Sequence, residues 1–273
     1  MGIIYEYSAS DLYARYDIDE KPDAKNFSMH IHDRYEIYCF VSGEVKYLVE
    51  GYEYTLEPGT LMIMRPGESH AAKILAEKRY ERYSVNFYES LLDDIDHEHR
   101  LTAAFVDRPL GCGNKYSISE LRDVESLDIF KKMCRKGVDT YEERRKINVY
   151  LLFLLEKISE AYQRRDNAEY VQPDNVSQRI VAYVNRHLFD ELSVPFLAGK
   201  FFLSTSQLGR IFKQATGSCV WEYVIAKRLT AAREKMRSGF SAKEASDMCG
   251  FGDYSAFYRA YVKHFGCAPT DKV

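Results

Sequence analysis

The stretch SAKEASDMCGFGDYSAFYRAYVKHFG, residues 241–266, decides how the C-terminal part of this chain folds. Ser241 and Glu244 have the spacing at which a serine hydroxyl and a glutamate carboxylate cap a helix start reciprocally. Met248 is expected to pack inward, and Cys249-Gly250-Phe251-Gly252 to make a turn. Asp253 then caps a second helix carrying Phe257, Tyr261 and Val262 on its inner side. Gly266 ends it, because glycine takes the left-handed conformation without steric cost. A short helix, a tight turn and a capped second helix form a helix-turn-helix.

The same design recurs upstream. Ser193 caps a short helix through Lys200, with Leu197 and Ala198 facing inward. After Phe202-Leu203, Ser204 and Gln207 repeat the capping-box spacing and open a helix through Ala215, buried along Leu208, Ile211 and Phe212 and stopped by Gly217. A helix over 176–187, with Ile180, Val181 and Val184 on one face, leads into this unit. A helix over 220–237 joins the two units and is about 27 Å long at 1.5 Å per residue. That is of the order of one DNA turn, about 34 Å, so the second helices could address adjacent grooves on one face. Each carries arginine and small polar residues early, suited to base edges, and lysine later, suited to phosphate. A plain helical bundle with solvated cations has the same pattern, so pattern alone leaves both readings open.

Charge agrees with a polyanion at this end. From residue 174 onward there are 14 Lys and Arg against 9 Asp and Glu; the preceding residues carry 24 against 32, which together recover the net −3. No apolar run approaches the ~20 residues needed to span a bilayer, so no membrane partner is expected. The first ten residues lack the basic and apolar regions of a secretory signal. The six cysteines form no CxxC pair, which predicts a reduced, cytoplasmic protein with ordinary thiols.

Toward the N-terminus the texture is β. Segments 35–41, 45–50, 52–56, 61–64 and 83–87 are rich in Tyr, Val, Ile and Phe, and Gly-containing turns punctuate them, which predicts a sandwich or small barrel. A helix over 144–165 follows, with Ile147, Leu151, Leu154 and Ile158 in an a/d seam. It packs either on its own barrel or on a second copy. The polar stretch 166–175, with Pro173, reads as a linker.

His30, His32 and Glu36 are all at even positions and project to one side of an extended strand, and a returning strand would bring His70 to the same pocket. Three imidazoles and a carboxylate are a candidate set for Fe, Mn, Ni or Zn. The same residues also read as hydrogen-bonded pocket histidines, or as contacts to a small-molecule effector. Tyr38 shares their face and offers a ring with a hydroxyl. Arg65 would pair an anionic effector, or else is a solvated loop arginine.

Leu203-Ser204, Leu208, Arg210, Phe212-Lys213 and Gly217 resemble the first helix-turn-helix of the AraC/XylS family of bacterial regulators. Cys249-Gly250-Phe251, Asp253, Ser255, Phe257, Arg259, Lys263, Phe265-Gly266 and Pro269 resemble its second, and this signature is the more specific. The resemblance implies base-reading residues Ser206, Gly209 and Arg210, flanked by Ser204 and Gln207, in the first unit. In the second it implies Tyr254, Ser255, Tyr258 and Arg259, with Lys213 and Lys263 on phosphate. Gly209 has no side chain to read with, which leaves Arg210 the main reader there. The chain departs from the family at Ala245-Ser246, where Ile-Ala is usual, at Ala242, where a large aliphatic is usual, and after Pro269, where Tyr-Arg is absent.

His30-x-His32, Glu36, Gly43, Gly59 and Pro66-Gly67-x-x-His70 resemble the cupin pattern, with Ala24 in place of its leading glycine. Together these resemblances imply an α+β, two-domain chain: a cupin-like β-barrel with helices, then an all-α domain with two helix-turn-helix units. The expected division is a sensor over 1–120, a helical dimerisation segment over 121–165, a linker over 166–175 and a DNA-binding domain over 176–273. The implied function is a homodimeric transcriptional regulator, an activator in contact with promoter DNA and RNA polymerase. It would be controlled by a small molecule such as a sugar, with no obligatory cofactor. A metal-dependent cupin enzyme, a dioxygenase or isomerase with a helical accessory domain, is the alternative. A DNA-binding protein whose barrel serves only for dimerisation or protein contact is a third.

Overall fold

The computed structural model describes residues 2–122, 125–165 and 175–271. Among the described residues nine strands build the first half: β1 (Gly2–Ser8), β2 (Leu12–Asp19), β3 (Tyr35–Ser42), β4 (Val45–Val49), β5 (Tyr52–Thr55), β6 (Leu61–Met64), β7 (His70–Ile74), β8 (Tyr80–Phe87) and β9 (Lys115–Tyr116). They pair antiparallel in two sheets, ordered β1-β2-β8-β3-β6-β9 and β5-β4-β7, which leave the barrel open.

Strand β3 shows why the sequence folds this way. Its odd residues Tyr35, Ile37 and Cys39 join one core with the helices outside the large sheet, and Tyr38 and Phe40 join another between the sheets. A strand covered on both faces reads as an unbroken apolar run, as Tyr35–Ser42 nearly does.

The helices α1 (Ala103–Val106), α2 (Ile118–Leu121), α3 (Ser126–Met133) and α4 (Thr140–Arg164) accompany them, the last capped by Asp139. The α4 seam of Ile147, Leu151, Leu154 and Ile158 is fully buried in the core of its own sheet. Burying each such side chain stabilises by about 1.5–3 kcal/mol. Of the two readings of this seam, packing on its own barrel is the one observed. Val149 and Phe153 remain on the outward face. The expected linker lies outside the described residues except for Asn175, which caps the next helix in a capping box with Gln178.

The second half is helical: α5 (Val176–Arg186), α6 (Val194–Lys200), α7 (Thr205–Thr216), α8 (Val220–Arg237), α9 (Ala242–Met248) and α10 (Tyr254–Phe265). Ser193, Ser204, Ser241 and Asp253 cap their helices, Ser204 and Ser241 in full capping boxes. Gly217 and Gly266 end α7 and α10 at φ of 81° and 74°, where a side chain would be strained. Two inward expectations are corrected. Met248 is 44% exposed, because the inner face of α9 runs through Ala245 and on to Cys249, one turn later. Val262 also faces outward, and Phe257 and Tyr261, spaced i, i+4, take the buried stripe of α10.

The two halves meet along α8. Lys227 Nζ lies 2.5 Å from Glu50 Oε1, with both side chains buried. Asn185 donates to the other Glu50 oxygen at 2.8 Å, and the Tyr223 hydroxyl donates to the same atom. Asp33 is paired with Arg237 at 2.8 Å and Arg233 at 3.3 Å.

Candidate effector pocket and nucleic-acid interface

Register places the pocket. On β3 and its neighbours β8 and β2, Glu36 lies opposite Asn86 and Asn86 opposite Tyr13; Tyr38 opposite Ser84 and Ser84 opposite Arg15; Phe40 opposite Arg82 and Arg82 opposite Asp17. Cross-strand partners share a face, so three rows of side chains point between the sheets. There all but Phe40 line a cavity of about 240 Å³ with His30, His32, Tyr47 and Tyr80.

At one end His32 Nε2 lies 2.8 Å and His70 Nε2 3.2 Å from Glu36 Oε2, and Asn86 Nδ2 donates to that oxygen at 2.9 Å. His30 and His70 are joined by a pair of backbone hydrogen bonds that continues the sheet beyond β7. The structure thus gathers His30, His32, Glu36 and His70 into one group. Only Glu36 and His70 lie on strands; His30 forms an isolated bridge and His32 stands in a loop. Burial alone would raise the Glu36 carboxyl, but the hydrogen bonds with His32 and His70 outweigh it and hold the group well below its usual range. Burial likewise opposes charge on His70, and Glu36 reverses that and raises it.

The rest of the pocket is aromatic and internally balanced. Tyr38 and Tyr80 share a hydrogen bond of 2.7 Å. Burial, then neighbouring phenols, pushes Tyr38 well above its usual range, so it stays a neutral hydroxyl. Arg15 Nε donates to Asp17 at 2.7 Å, and Arg82 pairs with Asp19 at 2.8 Å and Asp17 at 3.7 Å. Arg65 is not brought here. Its guanidinium donates to the Val106 carbonyl at 2.8 Å and borders a separate cleft of about 410 Å³ between barrel and α5, so the expectation of Arg65 in this pocket is corrected. Sequence reasoning missed Asn86, Arg82, Arg15 and Asp17; an alternation of charged residues in 12–19 and 80–87 was the available signal.

On the helical half, Ser206, Arg210 and Lys213 stand exposed on α7, and Ser255, Tyr258, Arg259 and Lys263 on α10; Tyr254 and Gly209 are half-buried. Ser204 and Gln207 are committed to capping: Gln207 N–H donates to the Ser204 hydroxyl at 3.2 Å, and Ser204 N–H to Gln207 Oε1 at 2.9 Å. Among the described residues no ion pair engages Arg210, Lys213, Arg259 or Lys263, whereas Lys227, Arg233 and Arg237 are all paired with the barrel. These four cations thus lie unpaired on the second helix of each unit, where a phosphate backbone would meet them.

A model of AraC-like ligand binding domains matches residues 15–146, and one of helix-turn-helix domains matches residues 197–272. The HTH-type transcriptional activator RhaS of Salmonella arizonae is 26% identical over 255 residues, covering 90% of this chain and 87% of that one. RhaS of Citrobacter koseri is 27% identical over 251 residues with the same coverage. Among solved structures, ToxT of Vibrio cholerae is 12% identical with a TM-score of 0.40, covering 96% of this chain and 97% of that one. A sensor pocket joined to two DNA-reading units defines an effector-controlled, DNA-binding transcription regulator. The N- and C-terminal matches fall in the order its residues had suggested. Both halves of this chain are thus similar to the domains of AraC/XylS-family regulators.

Proposed function

We propose that this regulator is an activator whose effector is a small, neutral, polyhydroxylated molecule of the sugar class. The carrying observation is the cavity itself. Its arginines are matched by Asp17 and Asp19, which leaves little net charge for an anion, while Tyr38, Tyr47 and Tyr80 offer ring faces and hydroxyls. At about 240 Å³ it lies below the roughly 300–1,000 Å³ of sites for drug-sized ligands, which suits a monosaccharide. The naming of the RhaS relatives as activators supports the sense of regulation.

In this reading residues 1–120 sense, 121–165 support dimerisation through the outward face of α4, 166–175 link, and 176–273 read DNA. A homodimer brings four reading helices to repeated half-sites, and the bound protein contacts RNA polymerase in the cytoplasm. No helix among the described residues is long and apolar enough to cross a membrane. The barrel serves as sensor and not as enzyme. His30, His32, Glu36 and Tyr38 form the effector wall, with His70 supporting it through Glu36, and Ser206, Arg210, Tyr254, Ser255, Tyr258 and Arg259 the base-reading set, with Lys213 and Lys263 on phosphate.

The test combines melting shifts across a panel of monosaccharides, polyols and aromatic acids with gel shifts on the DNA upstream of neighbouring genes. A sugar is expected to raise the melting temperature and change operator affinity. Stabilisation by aromatic acids alone would reject the sugar class, and equal binding to operator and random DNA at every salt concentration would reject the operator-reading assignment.

A further inference from the structure

The turns of the two helix-turn-helix units are closed by the same pair of hydrogen bonds. In the second unit the Gly250 N–H donates to the Asp247 carbonyl at 3.2 Å and the Phe251 N–H to the Ser246 carbonyl at 3.1 Å. In the first the Phe202 N–H donates to the Gly199 carbonyl at 3.2 Å and the Leu203 N–H to the Ala198 carbonyl at 2.9 Å. This pattern sets one residue in the left-handed region just past the helix end, a place that glycine usually fills. Gly250 does so at a φ of 77°, and space demands it, since a Cβ there would sit 2.7 Å from the Phe189 carbonyl oxygen. The first unit has Phe202 at the matching position, at a φ of 55°.

A bulky side chain strains the backbone in that region. Packing does not offset the strain here. Phe201 and Leu203, on either side, pack against the core of the first unit, whereas Phe202 is 96% exposed. The fold neither needs this ring nor buries it. A residue that strains its own turn and forgoes hydrophobic burial points to a contact outside the chain.

Place and chemistry say what that contact is. Phe202 lies two residues before Ser204, the cap of α7, so its ring stands at the N-terminal end of the helix that exposes Ser206 and Arg210. A reading helix lies in the major groove with its N-terminal residues on the base edges. A phenyl ring carries no hydrogen-bonding group for phosphate or for the polar atoms of those edges. The apolar group that the major groove displays is the 5-methyl of thymine. Wedging between base steps belongs to proteins of the minor groove, which α7 does not enter.

We propose that Phe202 meets the 5-methyl group of a thymine in the groove that α7 enters, and so reads one base beside Arg210. The proposal rests on α7 being a reading helix. Gly250 holds the matching position in the second unit, so α10 has no counterpart. Only the half of the recognition site that faces α7 then depends on a methyl group.

The full-length protein first selects its site from random-sequence DNA. Each thymine of that site is then replaced singly by deoxyuridine, which removes only the methyl group, and binding is read by competition gel shifts. The wild type should lose about fourfold, the size expected for one buried methyl group, at a thymine next to the base whose preference Arg210→Ala relaxes. Thymines in the half where Arg259→Ala acts should tolerate the change. Phe202→Gly and Phe202→Asn both suit a left-handed residue, and should melt no lower than the wild type. Both should bind the thymine site more weakly and show no further loss with deoxyuridine. A wild type indifferent to deoxyuridine throughout, or variants that keep the full loss, would overturn the methyl contact. Lower melting of both variants would make Phe202 a structural residue and overturn it too. Unchanged binding by Arg210→Ala would instead reject α7 as a reading helix, and the proposal with it.

Discussion

The two helix-turn-helix units share one local design and differ in what lies beneath it. Both open their first helix on a capping serine, and both end their second on a left-handed glycine. The first unit closes on Leu197, Leu208 and Phe212, all fully buried, with Phe212 set edge-on to Tyr223 at 5.3 Å. The second closes on Ala245, Ser246 and Cys249 against Phe257 and Tyr261, and the buried hydroxyls of Ser246 and Tyr261 find no partner among the described residues. The first also rests on the barrel, through Met29 at the end of α7, whereas among the described residues no hydrogen bond or ion pair joins α9 or α10 to it. Capping chemistry can thus specify a motif twice while packing assigns it two roles. One unit rests directly on the sensor, and the other reaches it only through α8, whose Arg233 pairs with Asp33 and lies over the ring of Phe265.

The largest expected effect tests that difference in the cores. Phe212→Ala should cost about 3–5 kcal/mol by leaving a cavity in a packed site, read by chemical denaturation. Ser246→Ala removes an unpaired buried hydroxyl and should be neutral or stabilise by about 1 kcal/mol. A loss as large as that of Phe212→Ala would show the second core to be as firmly packed as the first. Asp33→Asn should come next, because hydrogen bonds to a charged group contribute about 1.5–3 kcal/mol and both arginines lose their counter-charge. Separation of the barrel and helical melting transitions would register it. Arg210→Ala and Arg259→Ala should each cost about 1–3 kcal/mol of operator binding and relax preference at one base, measured by competition gel shifts. Equal losses on random DNA would assign those arginines to phosphate instead. The smallest effect belongs to Gly209→Ala. An added Cβ there meets nothing within 4 Å, so the variant should stabilise α7 by about 0.5–1 kcal/mol in thermal melting.

The helical half was legible because its instructions are local. A capping box spans three residues, and helix starts at Ser193, Ser204 and Ser241 could be read from the chain alone. Met248 misled because an apolar residue at a helix end can fall on either side of a stripe one residue wide. The barrel was harder. Strands β3 to β6 carry apolar runs and were visible. Strand β2 was not, since Arg15, Asp17 and Asp19 look like solvent-facing residues until the opposing sheet encloses them. Asn86 lies 50 residues from the Glu36 it serves, and Glu50 lies 177 from Lys227. Such pairings arise only when register and docking are fixed. The same applies to Arg65, whose partner became the Val106 carbonyl once the chain turned away from the pocket.

Helix α8 has a consequence for how such a regulator can change over generations. Its 18 residues run without interruption between the two reading units. Each residue added or removed would turn one unit about 100° around the axis and shift it about 1.5 Å relative to the other. One inserted residue would therefore aim α10 off the groove that α7 faces, while seven would restore the heading and lengthen the span by about 10 Å. The distance between paired recognition sequences is thus an inherited dimension, and drift can alter the letters read far more easily than the gap between them.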